Sequence, residues 1–548
     1  MKTLLIKNGL VIDGTGSPAF PGHVLIADDR IQSVFHAGEA CPPADAVIDT
    51  GGLAVAPGFI DMHSHTDWVL PGKDHDLAMK CLPEQGLTTV VGGNCGFSPA
   101  PVSEKMRSIL SMPHFKLLND RPLDYQWASF NDFLNRTADA RPIVNAAHQV
   151  GHATLRLAGA GMHEKRLSGN ALDNCLEALM RAFDEGACGL SFGLGYEPGM
   201  HAPMDEVAFF CRAAATAGKP VSVHLKALSR LSPCYPATNF SPHNVRALKE
   251  MIHIAKTTGV RLQVSHLIFV GRKSWSTAPQ CLTLIEDARK EGVDIAFDAF
   301  PYTFGNTTIN AVLPYWFLAG LPGTYRSPWA RMRLKIELAA GFRLVGFSWR
   351  DFQVMDAVVG DWQALNGLRM DEIARKWRMS PFQAMLRISE ATQGQAVMLF
   401  HAYSGEPGNE TALDQVLAHD LCLFETDAFT RYGGYPNPAA LGAFPKILGQ
   451  YVRQRRLFSL ENAVRRMTAD SAERFNLRDR GTLAIGKKAD VVVFDPETVN
   501  EATAADGMPA GRPEGIVHVL INGIMVVKNG SYIPGVRAGQ VIRGYDTP

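Results

Sequence analysis

Neither charge predominates in this sequence: 54 Lys and Arg stand against 54 Asp and Glu in 548 residues. That balance removes the electrostatic reason to expect a nucleic-acid or anionic-membrane partner. Runs of about 18 apolar residues, the length a membrane helix needs, are also missing. Cysteine is sparse: nine residues, an odd number scattered along the chain, give no disulfide framework. A reducing, cytoplasmic setting is therefore expected. The first 14 residues carry an apolar stretch too short for a secretory signal and read as a strand and a turn. No repeat period and no low-complexity tract is visible. At roughly 150 residues per domain the length suggests three or four domains, unless one is a large barrel.

What is present is a change of texture along the chain. Short strands over 4–6, 10–12, 23–26 and 30–34, separated by turn signals such as Asp13-Gly14, fill the first 55 residues. The other end repeats this style over 490–494, 517–521 and 524–527, with Asn522-Gly523 as a hairpin signal. These two ends, 1–55 and 481–548, are expected to pair into one small β-sandwich domain. Between them, over 56–480, apolar runs alternate with helical patterns such as 174–185, 245–257 and 281–291. Eight runs read as buried strands: 55–61, 88–92, 143–147, 189–193, 221–224, 262–266, 294–297 and 421–425. Repeated βα units of this kind predict a parallel α/β architecture, a (β/α)8 TIM barrel. Stretches 396–401 and 354–358 are surplus strand candidates, and the segment of about 304–400 is too long for one βα loop. It reads as an insertion or lid over the barrel mouth.

Side chains able to bind metal sit at the carboxyl ends of these strands, where barrels build their sites. His63 and His65 close APGFIDMHSH; as residues i and i+2 their imidazoles can face one ion. Asp67 follows and is placed to orient this pair. Cys95 follows TTVVGGN, His224 follows KPVSV, His266 follows RLQVS and Asp427 follows LCLFET. Each alone has a bland explanation as packing, but six such residues at the ends of five strands point to a metal site. Nitrogen, thiolate and carboxylate together suit Zn2+ better than Mg2+ or Ca2+.

The runs APGFIDMHSHTD, GLTTVVGGNCGFSPAP, VGHATLR, SFGLGYEPG and DAFPYTFGNTT resemble the N-acyl-D-amino-acid deacylase (D-aminoacylase) family of the amidohydrolase superfamily. The run MTADSAERFNLRDRGTLAIGKKADVVVFDP is similar to that superfamily's return into its small β domain. The resemblance implies a zinc-dependent hydrolase of a linear amide. It makes Cys95, His224 and His266 the ligands of one tightly bound zinc. His63, His65 and Asp427, with Cys95 bridging, would form a second, weaker position. Asp427 would take a proton from water and pass it to the departing nitrogen, and Tyr302 would donate to the carbonyl or to a substrate carboxylate. Tyr196, on a Gly-Pro loop, suits a pocket wall. His152 and His401 read as structural histidines; Cys81, Cys175, Cys188, Cys211 and Cys422 read as ordinary thiols.

Two departures stand against these matches. Where the family usually carries Lys two residues after the second zinc-binding His, this chain has Ile268. Where it tends to carry an HPR-like turn, this chain has Asn437-Pro438-Ala439. An Arg–carboxylate pair is strong and bidentate, so its loss alters recognition. The expected substrate is then a small-molecule amide with no free α-carboxylate, or a bulkier, more apolar one. Lys226 and Arg431 are the nearby cations that would restore carboxylate binding. Two alternatives remain open here: a hydantoinase- or dihydropyrimidinase-like enzyme of cyclic amides, and a metal-poor binding or scaffold relative. No nucleic-acid or membrane partner is expected, and a homo-oligomer is allowed.

Overall fold

The computed structural model describes every residue except 1, 111–116, 122, 162–163, 237–240, 436, 504–507, 509 and 545–548. Its centre is a barrel of eight parallel strands: Phe59–Asp61, Leu87–Gly92, Asn145–His148, Leu190–Gly193, Val221–His224, Leu262–Val264, Ile295–Ala299 and Cys422–Phe424. Nearly every residue of these strands is buried, because helices cover them outside and side chains fill the inside. Pairing runs unbroken from the first strand to the third and from the fourth to the eighth. Between the third and fourth it shifts past Gln149, where Val150–Gly151 takes up the pairing with Leu190 and Ser191. Below that shift, Val541–Ile542 from the far end of the chain lies parallel to Ala146 and Ala147. The eighth strand closes on the first through a parallel bridge between Ser64 and Ala428. There the Asp427 N–H donates to the His63 carbonyl, and the His65 N–H to the Ala428 carbonyl, each at 3.0 Å.

The sandwich formed by the two ends is one continuous nine-stranded sheet that curls over its own core. Val24, Ile26 and Ile31 from one end of the sheet pack with Val491, Val493 and Leu520 from the other. The join is an antiparallel pairing of Ala54–Pro57 with Val491–Phe494. The segments 4–6 and 10–12, expected as two strands, are one strand, Thr3–Val11. A bulge at Asn8 (φ 59°) shifts its register between Ile6 and Gly9, which masked the continuity. Asn522 and Gly523 both take the left-handed backbone of a two-residue hairpin turn between paired Ile521 and Ile524.

The two surplus strand candidates belong outside the barrel. Val397–His401 is the middle strand of a separate antiparallel sheet, flanked by Phe304–Thr308 and Phe352–Asp356. Helices Pro328–Val345, Met370–Lys376 and Pro381–Ala391 lie between these strands in the chain. The loop after the eighth barrel strand is pinned to this unit: Arg431 pairs with Asp356 at 2.6 Å, and the Tyr435 N–H donates to the Met355 carbonyl at 2.7 Å. Among the described residues no helix is long and apolar enough to cross a membrane.

A buried polar knot ties the β domain to the barrel. Asp490 accepts from Arg480 at 2.6 Å, from the Asn522 N–H at 2.8 Å and from Asn145 of the third barrel strand at 3.0 Å. Removing the carboxylate leaves the Arg480 guanidinium, only 5% exposed, with Asp479 as its one remaining carboxylate, and leaves the Asn522 N–H and Asn145 amide without this acceptor. Asp490→Ala is therefore expected to lose about 3–5 kcal/mol of stability, read as a lower urea midpoint. An unchanged midpoint would show that the knot contributes nothing to holding the two parts together.

Candidate metal centre

Six donor side chains meet at the carboxyl end of the barrel. The Cys95 Sγ lies 3.3 Å from His63 Nε2, 3.3 Å from His266 Nε2 and 3.9 Å from His224 Nδ1. His224 Nδ1 and His266 Nε2 are 3.0 Å apart. On the other side Asp427 Oδ1 stands 3.5 Å from His63 Nε2 and 3.3 Å from His65 Nε2. His63 Nε2 thus belongs to both groups, Cys95 with His266 and His65 with Asp427.

Local backbone geometry makes this convergence. Cys95 (φ 55°), His266 (φ 29°) and Asp427 (φ 46°) are all in the left-handed region, which non-glycine residues seldom occupy. Each stands where a strand has just ended and the chain turns inward, and such strain clusters at functional sites. The turn around Cys95 needs its glycines. A Cβ on Gly93 would fall 2.0 Å from the Gln149 carbonyl oxygen, and one on Gly96 2.5 Å from the Gly193 nitrogen. Only bare backbone lets the cysteine loop press against the third and fourth strands.

The centre is electrostatically unlike the rest of the core. Burial is the chief cause that pushes the thiols of Cys188, Cys211 and Cys422 up to about 12. Cys95 is equally buried, yet His63 and His266 beside it, with hydrogen bonds from His224 and His266, hold its thiol well below the ordinary range. Burial disfavours charge on His63 as well, but the Cys95 thiolate and Asp298 outweigh it and hold the imidazole well above its usual value. Asp427, despite burial, is held down by its hydrogen bond with His65 and by the charges of His63 and His266.

Sequence reasoning did not assign the carboxylates beneath this layer. Asp298 lies 3.2 Å from His63 Nδ1, accepts the His266 N–H at 2.6 Å and accepts from Gln263 at 2.7 Å. It fixes two of the donor histidines at once, leaving His63 Nε2 to face the cysteine. Its sequence signal was available: like the ligands, it sits at the carboxyl end of a barrel strand, in the run DAFPY. Asp61 accepts from the Thr426 N–H and hydroxyl and from the His63 N–H, and burial raises it to about 7. Glu425 is fully buried, neither of its oxygens has a partner, and burial raises it well above the carboxylate range.

The donor set fits zinc. Tetrahedral ligation at about 2.0–2.1 Å to nitrogen and 2.3 Å to sulfur puts neighbouring donor atoms roughly 3.3–3.6 Å apart. The spacings of 3.0–3.9 Å around Cys95 bracket that range without rearrangement. A thiolate among imidazoles is also a soft donor set of the kind zinc prefers.

The remaining candidates fall in different places. Tyr196 is at the centre: its hydroxyl donates to the Cys95 carbonyl at 2.7 Å, and its ring meets His224 edge-on. Asp67 accepts the Gly93 N–H at 2.9 Å, so it braces the cysteine loop, and no hydrogen bond joins it to His65. Ile268 is buried in the apolar core, and half-buried Lys226 lies 5.8 Å from the Tyr235 ring centre. Arg431 is engaged by Asp356. Tyr302 is committed elsewhere too: its buried hydroxyl donates to Glu501 at 2.9 Å, and Lys446 pairs with the same carboxylate at 2.9 Å. The expected donation from Tyr302 to a substrate carbonyl has no support in this arrangement. His152 is buried against Glu206 at 3.0 Å, and His401 against Gln353 at 2.9 Å; neither reaches the cluster. Asn437 caps the helix Pro438–Lys446, accepting the Ala439 N–H at 3.1 Å.

Comparison with known proteins agrees with this geometry. The amidohydrolase family profile matches residues 46–326 and 363–527, breaking within the unit that carries the separate antiparallel sheet. An N-acyl-D-glutamate deacylase of Alcaligenes xylosoxydans xylosoxydans is 31% identical over 98% of this chain and 96% of its own length. A D-aminoacylase of the same organism is 30% identical over 98% of this chain and 97% of its own. The crystal structure of an N-acyl-D-glutamate deacylase from Bordetella bronchiseptica, complexed with zinc and a phosphonate inhibitor, superposes with a TM-score of 0.79. It is 29% identical and covers 99% of this chain and 100% of its own. The chain is thus a metal-dependent hydrolase of non-peptide carbon–nitrogen bonds, and it belongs to the amidohydrolase family, in the N-acyl-D-amino-acid deacylase branch.

Proposed function

We propose that this enzyme uses zinc to hydrolyse a linear amide of a small molecule that lacks a free α-carboxylate, or carries a bulkier apolar group in its place. The observation that carries this reading is the convergence of Cys95, His224, His266, His63, His65 and Asp427, with Ile268 and Asn437-Pro438-Ala439 where a cation would hold a carboxylate. Cys95, His224 and His266 would hold a tightly bound zinc. His65 and Asp427, sharing His63, would hold a second, weaker one. When bound, zinc supplies a water of lowered pKa and polarises a carbonyl. The protein's own share of the chemistry is proton transfer and positioning. Asp427 is 16% exposed at its side chain and lines the adjoining pocket, placed to hold the proton lost by water and return it to the departing nitrogen. Asp298 fixes His63 and the His266 backbone, so the donors need no reorganisation.

Phe304, Gly305 and Asn306 of the antiparallel unit line the same pocket as Asp427, which supports reading segment 304–400 as a cover for the barrel mouth. Nine free cysteines support a reducing, cytoplasmic setting.

Metal analysis of the purified protein, paired with a panel of linear and cyclic amides, tests this reading. Zinc and turnover of linear amides are expected; ring opening alone would favour the cyclic-amide alternative. A protein that neither contains zinc nor takes it up would leave the enzyme without its chemistry. Cys95→Ala is expected to lose the tight zinc and turnover together, and retention of both would refute the ligand assignment. Asp427→Asn is expected to lower kcat by about 10²–10⁴ while the tight zinc stays. An unchanged kcat would remove Asp427 from proton transfer. Asp298→Ala is expected to weaken zinc binding by about 10–100-fold in competition with a chromogenic chelator. Wild-type affinity in that variant would make Asp298 a bystander.

A further inference from the structure

The pocket beside Asp427 is lined by Phe300, Phe304, Asn306, Thr426, Asn437 and Ala439, with Gly305 between. No lysine or arginine is among these residues, and the only charge is that of Asp427 itself. Two polar atoms in this lining have no partner: Asn437 Nδ2 and Asn306 Oδ1. Asn437 is only 7% exposed, so its free N–H group is withdrawn from bulk water. Its orientation is set by the helix it caps. Because Oδ1 accepts the Ala439 N–H at 3.1 Å, Nδ2 is left at the opposite edge of the planar amide. A buried donor and a buried acceptor without partners are costly features that a folded protein keeps for a reason.

We infer that Asn437 and Asn306 read a neutral carboxamide on the substrate beside the bond that is cut. This rests on the amide-hydrolase reading and deepens it by naming the substrate class. A carboxamide offers a carbonyl to Asn437 Nδ2 and an N–H to Asn306 Oδ1, satisfying both at once. A carboxylate would satisfy only the first. It would turn an acceptor toward the Asn306 oxygen and set a second negative charge beside Asp427. No lysine or arginine of the lining offsets that charge. Arg431 is paired with Asp356 and Lys446 with Glu501. The helix start offers little either, since Pro438 has no N–H and Ala439 gives its own to Asn437. Phe300, Phe304 and Ala439 give the rest of the lining an apolar character.

The test compares N-acetyl-leucine with N-acetyl-leucinamide, both enantiomers of each, on the zinc-loaded enzyme, following release of the free amine. The carboxamide of the preferred enantiomer is expected to exceed the acid in kcat/KM by about 10-fold or more. Asn437→Ser keeps an oxygen to cap the helix but loses the N–H, and Asn306→Leu loses the acceptor. Each is expected to bring that ratio close to unity, chiefly through KM for the carboxamide, with thermal midpoints near wild type. Binding of leucinamide and leucine to the metal-free protein, followed by calorimetry, should show the same order without turnover. Equal or better use of the free acid, or an unchanged ratio in both variants, overturns the inference while the amide-hydrolase reading stands. Failure to cleave any of the four compounds or any other linear amide overturns both.

Discussion

A barrel of parallel strands is closed only when its last strand meets its first, and here that meeting is made by the peptide groups of His63, His65, Asp427 and Ala428. The Asp427 N–H and the His63 carbonyl, and the His65 N–H and the Ala428 carbonyl, are the closing hydrogen bonds. Strand register therefore decides more than stability. It brings the His63, His65 and Asp427 side chains to one level, and a slip of one residue would turn each to the opposite face. Scaffold and site answer to the same constraint, so neither can drift without the other.

Burial then raises a second demand. A thiol, several imidazoles and four carboxylates lie in a region largely withdrawn from water, where an uncompensated charge is expensive. The arrangement answers by pairing opposites at short range: Cys95 with His63 and His266, Asp427 with His65, and Asp298 with His63. The buried acids left over, Asp61 and Glu425, are pushed toward their neutral forms by the same burial. A divalent cation seated among these donors would supply positive charge to the thiolate and the carboxylate together.

Much of this was legible in the sequence, for a physical reason. Buried parallel strands are read as apolar runs, and the ligands betray themselves as polar residues where those runs stop. That is why all eight barrel strands and all six donors could be named. What escaped is what depends on distance along the chain. Asp298 serves His63, 235 residues away, and no local pattern announces such a bond. The family resemblance points to Tyr302 as a donor to substrate, yet its hydroxyl is claimed by Glu501, 199 residues further on. The bulge at Asn8 divided one strand into two apparent ones, because a left-handed residue interrupts the apolar alternation that defines a strand. The unit within 304–400 showed only as surplus strands, since antiparallel partners there are separated by helices.

The curled sheet has one further implication, which concerns the order of events during synthesis. Ala54–Pro57 pairs with Val491–Phe494, so 434 residues separate Pro57 from its partner Val491. At about 5–20 residues per second, the first strands would wait roughly 20–90 s for the edge that completes them. Throughout that interval they present unpaired backbone to anything nearby, the condition under which strands find wrong partners. The barrel shares this delay, because Val541–Ile542 beside the third strand is made later still. For a chain knitted in this way, the newborn state is the one that exposes its strand edges longest.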